Sequence, residues 1–551
     1  MNPFRPELYP LGSIWLSVLV ALLPLLVIFL GLGVLKWKAH VAGLAAVATA
    51  LATAALGFKM PVGLAALSAT EGFVFGLFPI VWIVLMAIWF YQITVVSGRF
   101  EDLRATFNLI SDDPRVTALL VAFCFGGLLE ALAGFGAPVA ITGVMLLAVG
   151  FPKIKAAIAV MVANTAPVAF GAVAIPIITA GKVSGIPYEE IGAIAGRQTA
   201  VLALVVPFVL LWIVDGVKGL KQVWPAALAI GGAFAAAKWI TSNYISVELT
   251  DVIASLVGMA AGVVLMRFWK PKGTVEAQQR LATESAAEGG NIVLDRSIDD
   301  HISGNRIAMA LLPYILVVAV FSIANLVAPL KRALTSTDVV VNWPGLHGHV
   351  LNGAGKVHSS TVYTFQWLSG AGTLLLLVGI LTAIIYKVSF ADALKEFTST
   401  AYKLRFTVLT IGSVVALAYV MNLSGQTTTI GTWIAGAGSA FAFLSPVLGW
   451  IGVAVTGSDT SANALFCGLQ ATVGHETGLN PTLLATANTT GGVAGKLVSP
   501  QNIAIVATAV GLVGKESLIL RKTIGYSLGL LALICLMVGL QSTPILSWML
   551  P

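Results

Sequence analysis

Two acidic and two basic residues stand inside long apolar stretches of this chain. Glu130 lies at the centre of GGLLEALAGFGAPVA, and Asp459 at the centre of VTGSDTSANAL. Lys496 lies within ANTTGGVAGKLVSPQ, and Arg197 within GAIAGRQTAVLALVV. An ionisable side chain among apolar ones is costly, and marks a functional site by default. A carboxyl group in a low-dielectric site can load and release a proton near neutral pH. Glu130 and Asp459 are therefore the expected proton carriers. The competing role is a carboxylate that caps a helix through backbone N–H groups. Asp459, flanked by Ser458 and Thr460, suits that role too. Lys496 could bind a substrate carboxylate or neutralise one of the two acids. Arg197 could grip a carboxylate with two parallel hydrogen bonds. It could equally lock two helices, or snorkel near a helix end.

Small polar side chains surround these charges: Asn164, Thr165, Ser458, Thr460, Ser461, Asn463, Asn488 and Thr489. They suit the carboxylate and hydroxyl of a small anion, and helix N-termini at the same place would attract it. Gly134, Gly136 and Pro138 break a helix and let the backbone approach a ligand. Plain helix packing is the other use of such glycines. Lys238, Asp215 and Asp251 lie near the ends of apolar segments and read as interfacial. His475 and Glu476 read as part of a solvated loop. His347, His349 and His358 have no carboxylate or cysteine beside them to complete a metal site. Cys124, Cys467 and Cys535 have neither metal-site nor disulfide spacing and read as inert. No metal and no cofactor is expected.

The elements that must position these groups follow from composition. The 551 residues are 58% hydrophobic and only 10% charged, with a mean hydropathy of +0.94. A soluble chain carries roughly 25% charged residues. The apolar runs are continuous, not alternating, which excludes an outer-membrane barrel. The net charge of +7 sits in short loops, as in membrane proteins, and implies no nucleic acid. Spanning helices are expected near 13–36, 39–57, 72–96, 156–180, 191–214, 222–241, 250–268, 306–329, 368–387, 404–422, 482–508 and 521–543. The first is too long for a signal-peptide core and has no cleavage site. Regions 115–150 and 445–475 are broken at their centres by Gly, Pro and polar residues. Irregular backbone at membrane depth survives only where protein or water satisfies it. These two regions are expected to be re-entrant helical hairpins; for 115–150, two spanning helices with a tight turn also fit its length.

The chain also repeats itself. ANTAPVAFGAVAIPI begins at Ala163 and ANTTGGVAGKLVSPQ at Ala487, which pairs Asn164 with Asn488 and Pro176 with Pro500. VVSG at 95–98 answers NLSG at 422–425, with an amphipathic stretch after each. Lys and Arg clusters flank the first hairpin and are scarce around the second, so the halves run antiparallel. Inverted repeats with broken helices mark secondary transporters. The expected fold is an all-α polytopic membrane protein of about twelve helices plus two hairpins. Residues 1–221 form one repeat, 222–269 connect, 270–305 are a partly disordered cytoplasmic linker, and 306–551 form the second repeat with a periplasmic loop at 330–367.

At these motifs the chain resembles the bacterial L-lactate permease family. The resemblance rests on GSIWLSVLVALLPLL, EALAGFGAPVAITG, ANTAPVAFGAVAIPI, VTGSDTSANALF, ATANTTGGVAGKLVSPQNIAI and VGLVGKES, and runs nearly end to end. It implies uptake of L-lactate with protons, often with D-lactate and glycolate, across the bacterial cytoplasmic membrane. The implied partners are a small monocarboxylate, H+ and the lipid bilayer; self-assembly is left open. Two rivals remain at this point, a sodium-coupled carboxylate symporter of the same architecture and a passive anion channel. No hydrolase or metalloprotease motif is present, so an enzyme is not expected.

Overall fold

Large apolar side chains of a membrane protein can face lipid, whereas tight helix contacts favour small ones. Helix Ile14–Phe29 shows the division: Leu16, Leu19, Leu23 and Leu26 are exposed, while Ser17, Ala21, Pro24 and Ile28 pack inward. The computed structural model describes residues 3–35, 37–100, 102, 111–132, 134, 136–288, 303–351, 355–512 and 515–551. Nine helices among them are long and apolar enough to cross a membrane. The count rises to ten if Lys153–Ala163 and Val168–Ser184, which meet at a 62° bend, form one span. The protein is thus an all-α, multi-pass membrane protein. Among the described residues the one sheet is a small antiparallel pair, Val339–Asn342 with Val362–Phe365, in the 330–367 loop.

Element boundaries depart from the expectation in instructive ways. The stretches 191–214 and 222–241 belong to one run, Tyr188–Tyr244, kinked where Asp215 and Gly216 leave helical geometry. The expected helices at 156–180 and 482–508 are each broken. The first loses its helix at residues 164–167, ahead of the short 3-10 turn Val168–Phe170. The second turns at Lys496–Val498, and Ser499 then caps Pro500–Ala509. A residue before proline is pushed out of the helical region, and Ser499 has ψ 124°. Proline was legible there; its effect was masked by the apolar run around it. The amphipathic stretch near 100–113 lies largely outside the described residues, as do linker residues 289–302.

The described part of the linker is ordered. Thr274–Ala287 is a helix docked on the bundle. Arg280 donates to both oxygens of Asp215, at 2.9 and 2.8 Å. Arg115, fully buried, joins Asp113, Asp215, Gln222 and the carbonyl of Lys272 into one network. Asp215 is therefore a clasp between helix and linker.

Every residue of Pro114–Leu132 is buried, so this helix is surrounded by protein on all sides. In the second half, Phe441–Thr456 and Pro481–Gly495 meet backbone to backbone. A Cβ on Gly449 would come within 1.8 Å of the Asn488 carbonyl oxygen, and one on Gly491 within 2.0 Å of the Pro446 carbonyl oxygen. Only glycine permits that approach. Cys124 and Cys467 are buried and Cys535 is half-buried; all three are free thiols.

Candidate functional site

Glu130 is carried by helix Gly126–Leu132. Gly134, with φ +47°, takes the left-handed conformation just beyond it. Its N–H donates to the Glu130 carbonyl at 3.2 Å. Gly136, with φ +87°, caps the next helix, Ala137–Ala148, whose second residue is Pro138. Left-handed glycine ends one helix, and proline near the start begins the next. The second break is built alike. Gly457, with φ +75°, closes Phe441–Thr456, and the Ser458 hydroxyl caps Asp459–Thr477 by accepting the Ser461 N–H at 3.3 Å.

Both breaks line one cavity of about 50 Å³. Glu130, Gly134, Gly171 and Ala172 face it from the first half; Gly457, Ser458, Asp459, Thr460 and Lys496 face it from the second. Gln501 and Asn502, which the sequence reading did not single out, complete that side. Lys496 Nζ donates to Glu130 Oε1 at 2.7 Å, with both side chains buried. Glu130 Oε2 and both carboxyl oxygens of Asp459 have no hydrogen-bond partner among the described residues. Asp459 does not cap its helix through its own oxygens; Ser458 does that.

The cavity wall facing Glu130 is strained. Ala172, Val173 and Ala174 have φ of +43°, +59° and +59°. Left-handed geometry costs about 1–2 kcal/mol per non-glycine residue, and a β-branched valine there is a true outlier. Such segments persist only where their surroundings over-determine them, and they gather at functional sites. A Cβ on Gly171 would stand 3.0 Å from Glu130 Oε1, so the wall touches the carboxyl directly.

Other expected site residues serve around the cavity. Asn463 donates to the Pro176 carbonyl at 3.0 Å and accepts from Asn488 at 2.9 Å. Asn488 also donates to the Ala462 carbonyl. Asn463, held by Asn488, ties the second half to the first. Thr165 bonds back to the Val162 carbonyl. The Asn164 amide and the Thr489 hydroxyl are buried without a partner among the described residues. Ser461 is buried and contributes its backbone N–H to the Ser458 cap. Arg197 is not brought to the cavity; its Nε donates to Asn243 at 2.9 Å. His475 and Glu476 are exposed at the end of Asp459–Thr477.

Some buried polar groups were missed. Lys238 and Asp251 are not interfacial: both side chains are fully buried, and they form an ion pair at 2.9 Å. The signal was a lysine and an aspartate on adjacent apolar segments joined by a short turn. Gln198 links Thr490 to Gln541, at 2.7 Å on each side. Glu71 is fully buried, and neither carboxyl oxygen has a partner among the described residues. It lies early in the run 62–96, where the expected helix began only at 72.

The sequence model of the family described as L-lactate permease matches residues 17–545. The chain is 41% identical over 548 residues to the glycolate permease GlcA of Escherichia coli K12, with 97% of each chain covered. It is 40% identical over 561 residues to the L-lactate permease of the same strain, with 100% of each covered. It is 41% identical over 562 residues to the L-lactate permease of Bacillus subtilis 168, with 98% of each covered. With the match running almost from end to end, the chain belongs to the L-lactate permease family.

Proposed function

We propose that this protein is a secondary transporter that imports L-lactate, together with D-lactate and glycolate, across the bacterial inner membrane by proton symport. The names of its relatives support L-lactate and glycolate as substrates. The Glu130–Lys496 ion pair supports the coupling, and is the observation that carries it. Among the described residues the one cation lining the cavity, Lys496, is answered by the protein's own carboxylate. A proton on Glu130 releases Lys496, and the substrate carboxylate takes its place. Exchange of one carboxylate for another keeps the buried charge balanced, which a crossing of the membrane requires. Asp459, unpaired on the same cavity, is a second carrier of the proton. The substrate hydroxyl finds the Ser458 and Thr460 side chains. Residues 1–221 and 306–551 act as inverted repeats, each contributing one broken element, 115–150 or 445–475, as a re-entrant hairpin. The cavity between the two breaks supports that reading, and the permease names of its relatives support a carrier.

Proteoliposomes holding the purified protein and an imposed pH gradient test it. Labelled L-lactate is expected to accumulate uphill when the outside is acidic, with no sodium gradient. Accumulation that follows only a sodium gradient would overturn proton coupling. Uptake that merely equilibrates would indicate a channel.

A further inference from the structure

Between helix Lys153–Ala163 and the strained turn at Ala172–Ala174, the chain has to bridge a break at membrane depth. A broken helix leaves carbonyl groups without their usual N–H donors, and no water replaces them in a lipid-surrounded core. The Ala166 carbonyl is one such group. It accepts a hydrogen bond at 2.7 Å from Lys238 Nζ. The same ammonium stands 4.9 Å above the centre of the Phe170 ring. A cation over an aromatic face is attracted by the ring. Lys238 thus holds the unwound segment at two points, four residues apart. Asp251, fully buried 2.9 Å away, balances its charge.

The far side of the strained turn is held as well, by Asn463 on the Pro176 carbonyl at 3.0 Å. Between these two staples lie Gly171, against Glu130, and Ala172, in the cavity wall. Among the described residues of the second half no counterpart stands at the matching position. The register that pairs Asn164 with Asn488 pairs Ala166 with Thr490, and Thr490 lies inside the unbroken helix Pro481–Gly495.

We propose that Lys238, neutralised by Asp251, is a positioning residue that holds the segment 166–174 against Glu130 and thereby sets the affinity of the cavity for its substrate. The affinity part rests on the cavity being the transport site; the positioning part does not.

Lys238→Met alone leaves Asp251 buried and unpaired and can fail to fold. The informative protein is Lys238→Met/Asp251→Leu, which removes both charges. Two readouts are taken on it in comparison with the unsubstituted protein. Hydrogen–deuterium exchange over residues 164–176 is expected to rise, with exchange in Phe441–Thr456 unchanged. In proteoliposomes KM for L-lactate is expected to rise about tenfold, the scale of one lost charged hydrogen bond, with kcat changed far less. Unchanged exchange over 164–176 overturns the positioning role, whatever the substrate proves to be. Raised exchange with unchanged KM overturns the link to affinity. Absence of saturable uptake by the unsubstituted protein would count against the transport reading, while the exchange result would still decide the positioning role. Should the double variant not fold, Phe170→Leu removes the ring beneath the ammonium and no charge. Faster exchange over 164–176 at unchanged Tm supports the proposal, and unchanged exchange overturns it.

Discussion

Lys496 Nζ stands 2.7 Å from Glu130 Oε1, although 366 positions of chain separate them. The two residues come from opposite halves of the protein and meet in one cavity. Their pairing joins a buried cation of one half to a buried carboxylate of the other, and the consequences can be measured.

Lys496→Ala is expected to abolish uptake and to lower stability by about 3–5 kcal/mol, because it strands a buried carboxylate. Lys496→Met/Glu130→Gln should recover the lost Tm and leave uptake absent. Thermal unfolding in detergent beside uptake in proteoliposomes separates the two effects. Full uptake by the double variant would remove the pair from the mechanism.

Asp459→Asn should keep a near-normal Tm, since neither carboxyl oxygen has a hydrogen bond to lose among the described residues. Accumulation driven by a pH gradient should be lost, while exchange of labelled for unlabelled lactate continues. Accumulation at the normal rate would show that Asp459 carries no proton.

Gly492→Ala and Gly171→Ala should differ in kind. The new methyl at 492 would fall 2.3 Å from Asp459 Oδ1 and 2.8 Å from Val453 Cγ2. Overpacking of that sort costs about 1–3 kcal/mol, so Tm should drop. At 171 the nearest atom is Glu130 Oε1 at 3.0 Å. A small shift of the carboxyl suffices there, and the expected result is a raised KM with little change in Tm.

Asp215→Asn should loosen the linker helix. Arg115 keeps its bonds to Asp113, whereas Arg280 loses its ionic partner and one of its two hydrogen bonds to position 215, because an amide NH2 cannot accept. Limited trypsin digestion is expected to cut at Arg280 faster than in the unsubstituted protein. An unchanged digestion rate would mean that the clasp is not what holds the helix.

Asp102, outside the spans, gives a pH signature. Burial pushes its carboxyl up, but hydrogen bonds and charge from Arg306 and Arg99 outweigh burial and hold it below the ordinary 3.8. A folded value below the unfolded one contributes stability above the unfolded value, and that contribution disappears as the pH falls through the folded one. The Tm gap between the unsubstituted protein and Asp102→Asn should therefore be full at pH 6 and shrink below about pH 4. A gap that stays constant to pH 3 would contradict this.

Much of the candidate site was legible in the sequence because buried charge is rare in lipid and stands out in an apolar run. Glu130, Asp459 and Lys496 could be found that way, and the glycines at 134 and 136 announced the first break. Glu71 escaped notice because its helix starts ten residues earlier than its apolar pattern suggests. Lys238 and Asp251 were misplaced because depth cannot be read from distance to a helix end when the next segment folds straight back.

The sequence alone determined the class of protein, since only a membrane can solvate so apolar a chain, and it determined the family, since long motifs recur in order. The tertiary structure decided which charges meet. Lys496 could have answered Asp459, Glu130 or a substrate; it answers Glu130, because the break at 496–499 turns it toward the first half. Arg197 is led away to Asn243, and Lys238 inward to Ala166, by the way the long helix Tyr188–Tyr244 packs. Ion pairing depends on ångström distances between elements far apart in the chain, and no local pattern carries that information.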